Sequence, residues 1–197
     1  MTMAGTNGGA QENTNVVISH LENTRIIYIN GQVTDTMAYY FNTMLLQLEH
    51  ESSDEDVTVY INSPGGSVSA GLSMIDTMNL ISCDVSTICM GMAASMGAML
   101  LMSGEKGKRK ILPHSCVLIH QPLQNLGDAF HQASDLEIMA KEAVRTRETL
   151  YSIIHECTGQ PYEKIARDCD RDYTLTAQEA LEYGLVDEIV VSHRNGR

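Results

Sequence analysis

Ser95 is the single hydroxyl in GMAASMGAMLL, residues 91–101, where glycine, alanine, methionine and leucine surround it. A serine in such company is either a core residue bonded to a backbone carbonyl or a nucleophile held in a dry pocket. The apolar run before it reads as a strand and the run after it as a helix. A residue at that junction leaves the end of a sheet beside the unpaired amides of a helix start. Such amides suit acyl transfer, because they can bond a developing oxyanion.

The setting is AASMG, with alanine where the GxSxG nucleophile elbow has its first glycine, so the α/β-hydrolase signature is absent. A second candidate is SPGGS, 63–67. Gly65 and Gly66 lack a Cβ, so their backbone can approach a ligand closely or simply make a strand-to-helix turn. No G-x-G-x-x-G dinucleotide fingerprint is present. The third is His120 in CVLIHQP, at the end of an apolar strand, either a structural imidazole or a general base. His114 shares that stretch, but with no third ligand in sight the pair does not indicate a metal. Acyl transfer also needs a group to orient the histidine. RDCDRDYTLTAQEA offers Asp168, Asp170 and Asp172, and spacing alone does not choose among them.

The elements that must position these residues follow from periodicity. RIIYING (25–31), DVTVYINS (56–63) and DVSTICMG (84–91) read as strands, the last apolar enough for burial on both faces. KRKILP, CVLIHQP and a closing LVDEIVV read as three more. Met37, Tyr40, Phe41, Met44, Leu45 and Leu48 form an amphipathic helical stripe, with Thr34 or Asp35 as its cap. Residues 68–81 form a second helix, and a third begins near Ser95 and ends at Gly104. A long helix runs from about Gln132 to Cys157, with Leu136, Met139, Ala143, Leu150 and Ile154 on its apolar side. Two short helices follow, near 161–167 and 176–183. Alternating strands and helices imply parallel pairing through helical crossovers.

The chain has 197 residues, which suits one domain, here 16–197, after a polar segment 1–15 expected to be mobile. Net charge is −12, against a nucleic-acid or anionic-membrane surface. Five cysteines, an odd number without CxxC spacing, fit a reducing compartment rather than a disulfide frame or zinc site. With no signal peptide and no apolar run long enough to span a bilayer, a soluble cytoplasmic protein is expected.

Taken in order, YINSPGGSVSAG (60–71), DVSTICMGMAASMGAMLL (84–101), GKRKILPHSCVLIHQPL (107–123) and RDCDRDYTLTAQEALEYGLVDEIV (167–190) resemble the ClpP family of self-compartmentalising serine peptidases. The resemblance covers about 25–195. It implies the α/β ββα superhelix shared with crotonases, and a protruding handle helix matched by the helix after 132. Residue by residue, it implies Ser95 as nucleophile, His120 as general base and Asp172 as the triad acid. The backbone N–H groups of Gly66 and Met96 match the oxyanion hole, and Asp170 and Arg171 match positions coupling ring contacts to the triad. No metal or other cofactor is implied. The implied partners are copies of the chain in two stacked heptameric rings, a tetradecamer, and an AAA+ Clp ATPase delivering unfolded protein.

Three departures stand out. The N-terminal stretch lacks the family's gating-loop pattern. Docking positions that are commonly aromatic read Thr58, Leu80 and Lys110. QNLGDAFH, 124–131, is a few residues longer than usual. These point to a divergent paralogue, pairing with a second ClpP-type ring or using a different activator; the rival is a homotetradecamer that docks through other residues. Two other functional classes share the expected fold. One is a crotonase-type acyl-CoA enzyme; the other is a structural or regulatory ring subunit with little activity alone.

Overall fold

The computed structural model describes residues 17–20, 24–122 and 132–190. The expected mobile segment 1–15 and the insertion at 124–131 lie outside the described residues, and the N-terminal stretch compared with the gating loop is described only in part.

Among the described residues the chain order is β1 (Val17–His20), β2 (Ile26–Asn30), α1 (Asp35–Glu51), β3 (Val57–Ser63), α2 (Val68–Leu80), β4 (Val85–Ala94) and α3 (Met96–Met102). There follow β5 (Arg109–Ile111), β6 (Cys116–Ile119), α4 (Ala133–Thr158), α5 (Tyr162–Asp168), β7 (Tyr173–Thr176), α6 (Ala177–Tyr183) and β8 (Glu188–Ile189). All eight strands join one sheet in the order β1-β2-β3-β4-β5-β8, with β6 branching from β4 and carrying β7. Pairing is parallel from β2 to β5 and β8, and β4–β6 is parallel too. This is the α/β fold expected from the alternating pattern. The antiparallel additions are β1 on β2 and β7 on β6, two strands that periodicity did not mark.

The branch at β4 positions the site. Gly91, at φ 98°, breaks the regular strand. Before it, Thr87–Cys89 pair with Arg109–Ile111 of β5; after it, Met92–Ala94 pair with Cys116–Leu118 of β6. One long strand thus serves two neighbours, and its second half, rather than residue 91, leads into Ser95. Burial on β4 alternates, with Val85, Thr87 and Cys89 buried and Ser86, Ile88 and Met90 partly open. The expectation of burial on both faces is therefore corrected. Among the described residues one face of the first part of β4 is buried and the other only partly covered.

Thr34 caps α1, its hydroxyl accepting from Met37 N–H at 3.2 Å. The stripe on α1 buries Met37, Ala38, Phe41, Leu45 and Leu48, while Tyr40 turns outward, 49% exposed. Tyr40 follows an exposed Tyr39 and meets its ring edge-on, centroids 5.4 Å apart. On α2 the inward residues are Met74, Ile75 and Met78. On α4 only Leu150, Tyr151 and Ile154 are buried. Leu136 is 43% exposed and Met139 and Ala143 are only half-buried; among the described residues burial on this 26-residue helix is confined to its second half.

Candidate active site

Ser95 is the only non-glycine residue with positive φ among those described, at φ 53° and ψ −121°. Such a backbone costs on the order of 1–3 kcal/mol and persists only where its surroundings hold it. Here both sides do. Its N–H stays in the sheet, donating to Leu118 O at 2.9 Å. Its carbonyl already belongs to α3, accepting from Ala98 N at 2.9 Å and Met99 N at 3.1 Å. The chain changes from strand to helix in one residue, which leaves the side chain at the tip of the turn.

The SPGGS turn packs directly against this tip. Gly65, at φ 92°, lies so close that a Cβ there would sit 2.6 Å from Ser95 Cβ and 3.0 Å from Met96 N. The buried Ser63 hydroxyl accepts from Gly65 N–H at 3.1 Å and holds the turn. Gly66 approaches Val33 instead: a Cβ there would clash with Val33 O. The bonds Val33 N to Gly65 O, 2.8 Å, and Ser67 N to Val33 O, 2.9 Å, bracket Gly66 on both sides. The Gly66 amide lies between them without an acceptor among the described residues, and Met96 N–H, the first of α3, likewise has none.

His120 follows β6, the strand that pairs with the end of β4, so Ser95 and His120 leave the same edge of the sheet. Both line one cleft of about 280 Å³ with Gly66 and Met96. Its apolar wall includes Met99, Ile119, Leu150 and Ile154. The β6–β7 register places Ile119 opposite Tyr173, so the next residues out, His120 and Asp172, face each other. His120 Nδ1 lies 3.2 Å from Asp172 Oδ1. The imidazole is well covered, its side chain 14% exposed, whereas the Asp172 side chain is 75% exposed.

Geometry thus separates the three aspartates that spacing left equal. Asp168 accepts from Lys164 Nζ at 2.8 Å and from Tyr183 OH at 3.1 Å. Burial pushes its carboxyl upward, but those partners outweigh it and hold it below the usual carboxylate range. Asp170 stands near Arg171 at 3.9 Å, and both are largely exposed. Asp172 alone of the three bonds to His120. His114 is exposed in the turn before β6, at the opposite end of that strand. No cysteine lines the Ser95 cleft. Burial pushes the Cys89 and Cys169 thiols up to about 12, far from a reactive thiolate.

The expected residues therefore converge, with one contact open. Among the described residues the Ser95 hydroxyl makes no hydrogen bond, to His120 or otherwise. Sequence reasoning missed Gln121, whose N–H donates to Cys169 O at 2.6 Å and whose Nε2 donates to Asp170 O at 2.9 Å. The IHQP stretch was read for its histidine. The only signal for Gln121 was a long polar side chain directly after an apolar strand.

A serine on a strained strand-to-helix turn, sharing a cleft with main-chain amides unpaired among the described residues and with an aspartate-bound imidazole, is an arrangement that serine hydrolases use. Comparison with known proteins narrows this. The Clp protease family profile matches residues 9–193. The ATP-dependent Clp protease proteolytic subunit of Porphyromonas gingivalis (strain ATCC BAA-308 / W83) is 51% identical over 178 residues, 90% of this chain and 79% of that relative. The chain belongs to the Clp protease family, as a serine protease subunit. The acyl-CoA reading finds no support there.

Proposed function

We propose that Ser95, His120 and Asp172 are the catalytic triad of a self-compartmentalising endopeptidase, with the Gly66 and Met96 amides as its oxyanion hole. The observation that carries this reading is the strained Ser95 turn opening into the same cleft as an Asp172-bound His120. An ionised Asp172 only accepts hydrogen bonds, so it selects the tautomer with the proton on His120 Nδ1. Nε2 then carries the lone pair that takes the Ser95 proton as Oγ attacks a peptide carbonyl. The two amides receive the oxyanion, and His120 returns the proton to the leaving amine. Water, activated by the same imidazole, releases the acyl group. This chemistry requires no metal or organic cofactor.

The 3.2 Å His120–Asp172 contact is longer than a tight charge-assisted bond. Catalytic bonds are often loose in the unliganded state and shorten in the substrate complex. The Ser95–His120 bond closes in the same way in this proposal. The test is labelling with a serine-reactive fluorophosphonate, with peptide mapping, beside hydrolysis of a fluorogenic peptide. Adduct on Ser95, and loss of labelling and hydrolysis in Ser95→Ala, is expected. Hydrolysis surviving in Ser95→Ala overturns the triad. Absence of labelling in every assembly state would leave a structural ring subunit as the answer.

The assembly proposed is two heptameric rings stacked through α4, fed with unfolded protein by an AAA+ ATPase in the cytoplasm. Residues 16–197 form one peptidase domain in this proposal. Support for the stacking comes from α4, whose Leu136, Ile138 and Val144 are 43%, 60% and 43% exposed. Among the described residues no helix is long and apolar enough to cross a membrane. At the docking positions Leu80 is 75% exposed, and Lys110 Nζ is paired with Glu188 at 2.9 Å. The pairing offsets a charge that would weaken an apolar docking pocket. Pairing with a second paralogous ring remains the proposal for the divergent surface. Pull-down from the source cell tests it: purely homotypic rings, binding an ATPase tightly through the Lys110 pockets, overturn it.

A further inference from the structure

Asp172 has little of its own to hold it. Its side chain is 75% exposed, and among the described residues its carboxylate bonds to His120 alone. Its position is therefore set by the backbone of the turn between α5 and β7. One end of that turn is anchored by Asp168, through Lys164 and Tyr183. The stretch nearer Asp172 is anchored by Gln121. The Gln121 main chain donates to Cys169 O at 2.6 Å, and its side-chain Nε2 donates to Asp170 O at 2.9 Å. Because Gln121 is the neighbour of His120, the residue carrying the base also ties down the turn carrying the acid.

Resting on the triad proposed above, we infer that Gln121 is a positioning residue: its amide holds the Asp170 carbonyl so that Asp172 reaches His120 Nδ1. The role needs a donor at the end of a two-methylene stem. Glutamate has the size without the donor at neutral pH, and leucine has neither donor nor acceptor. Arg171, 91% exposed and only 3.9 Å from Asp170, offers the turn no comparable anchor. Gln121 does not touch the reacting atoms; it acts through Asp172. Losing it misplaces the carboxylate but leaves the apolar wall and the two free amides as they are. Turnover falls while substrate affinity is kept.

The experiment uses the assembled enzyme carrying Gln121→Leu, Gln121→Glu, Asp172→Asn, and Gln121→Leu combined with Asp172→Asn. Hydrolysis of an activated peptide ester gives kcat and KM, and native mass spectrometry gives the assembly. A displacement near 1 Å at a catalytic centre costs on the order of 100-fold. The Gln121 variants are expected to lose roughly 10- to 100-fold in kcat, with KM and assembly unchanged. In the Asp172→Asn background Gln121→Leu costs nothing more, because residues acting through one contact are not additive. Should Gln121→Leu fail to assemble, the isosteric Gln121→Glu decides by the same readouts. Wild-type kcat, a raised KM at unchanged kcat, or losses that multiply in the double variant overturn the inference. If Asp172→Asn slows turnover and the Gln121 variants do not, only the role of Gln121 falls. If Asp172→Asn turns over at the full rate, the triad falls with it.

Discussion

Gly65→Ala tests how tightly the SPGGS turn and the Ser95 turn are fitted together. At φ 92° an alanine is strained whatever the space, which costs roughly 1–2 kcal/mol. Its methyl would also sit 2.6 Å from Ser95 Cβ and 2.7 Å from Ala94 O, about 0.8 Å inside the 3.4 Å at which ordinary contact begins. Neither neighbour is the free end of a flexible side chain, so the two turns must part. Overpacking of this kind adds about 1–3 kcal/mol. The sum, roughly 2–5 kcal/mol, lowers Tm by about 5 °C or more in a subunit of this size. A separation approaching 1 Å at the nucleophile predicts a loss on the order of 100-fold in kcat/KM. Gly107→Ala is the control, since Gly107 has φ 90° with nothing within 4 Å of a built Cβ. It carries the strain without the clash, and is expected to lose stability while keeping turnover. Differential scanning calorimetry and peptide hydrolysis on both variants provide the comparison. A Gly65→Ala enzyme with wild-type kcat/KM would refute the claim that this contact sets the nucleophile's position.

Arg109 is 3% exposed and forks onto Asp187, at 2.6 Å for Nη2–Oδ1 and 2.8 Å for Nε–Oδ2. Asp187→Asn strands that guanidinium and is expected to cost about 3–5 kcal/mol, read by denaturant unfolding. Burial works to raise the Asp187 carboxyl, but Arg109 and the Arg109 and Gly107 amides outweigh it and hold it below the usual range. Its contribution is therefore present above the unfolded value of ~3.9 and lost as pH falls through the lower folded value. Tm against pH should fall steeply on the acid side of 4, and less steeply in Asp187→Asn. Cys89 and Cys169, pushed up to about 12 by burial, should resist a thiol reagent such as iodoacetamide in the native protein and react on unfolding. Fast native labelling at either, read by peptide mapping, would contradict their burial. Leu136→Asp with Ile138→Asp leaves the subunit fold intact, because both side chains are exposed, and is expected to yield single rings by native mass spectrometry.

Much of the scaffold was legible in the linear chain because its signals are local. Period-two apolar residues mark β3, and three- and four-residue steps mark α1. The AASMG junction announces a strand ending where a helix begins, and the structure puts that junction at Ser95. Motif order was enough to assign the family. The departures have a common physical origin. The stripe on α4 has the periodicity of a core helix, yet Leu136 stays open, because periodicity records an apolar face and not what covers it. Tyr40 fits its helical stripe but lies at the edge where α1 meets solvent.

The choice among Asp168, Asp170 and Asp172 belonged to tertiary structure. They sit at alternate positions in one short acidic run, and residue type, spacing and charge treat them alike. What distinguishes them is pairing across the sheet. Ile119 opposite Tyr173 brings Asp172 to His120, while Lys164 and Tyr183 draw Asp168 into a different network. The same holds for Gln121, whose two partners lie 48 and 49 positions away on a turn it reaches only after β6 and β7 have paired. Local sequence determined the strained serine, since strand and helix propensities act over a few residues. Its partners depended on strand register, which is set by contacts between segments remote in the chain.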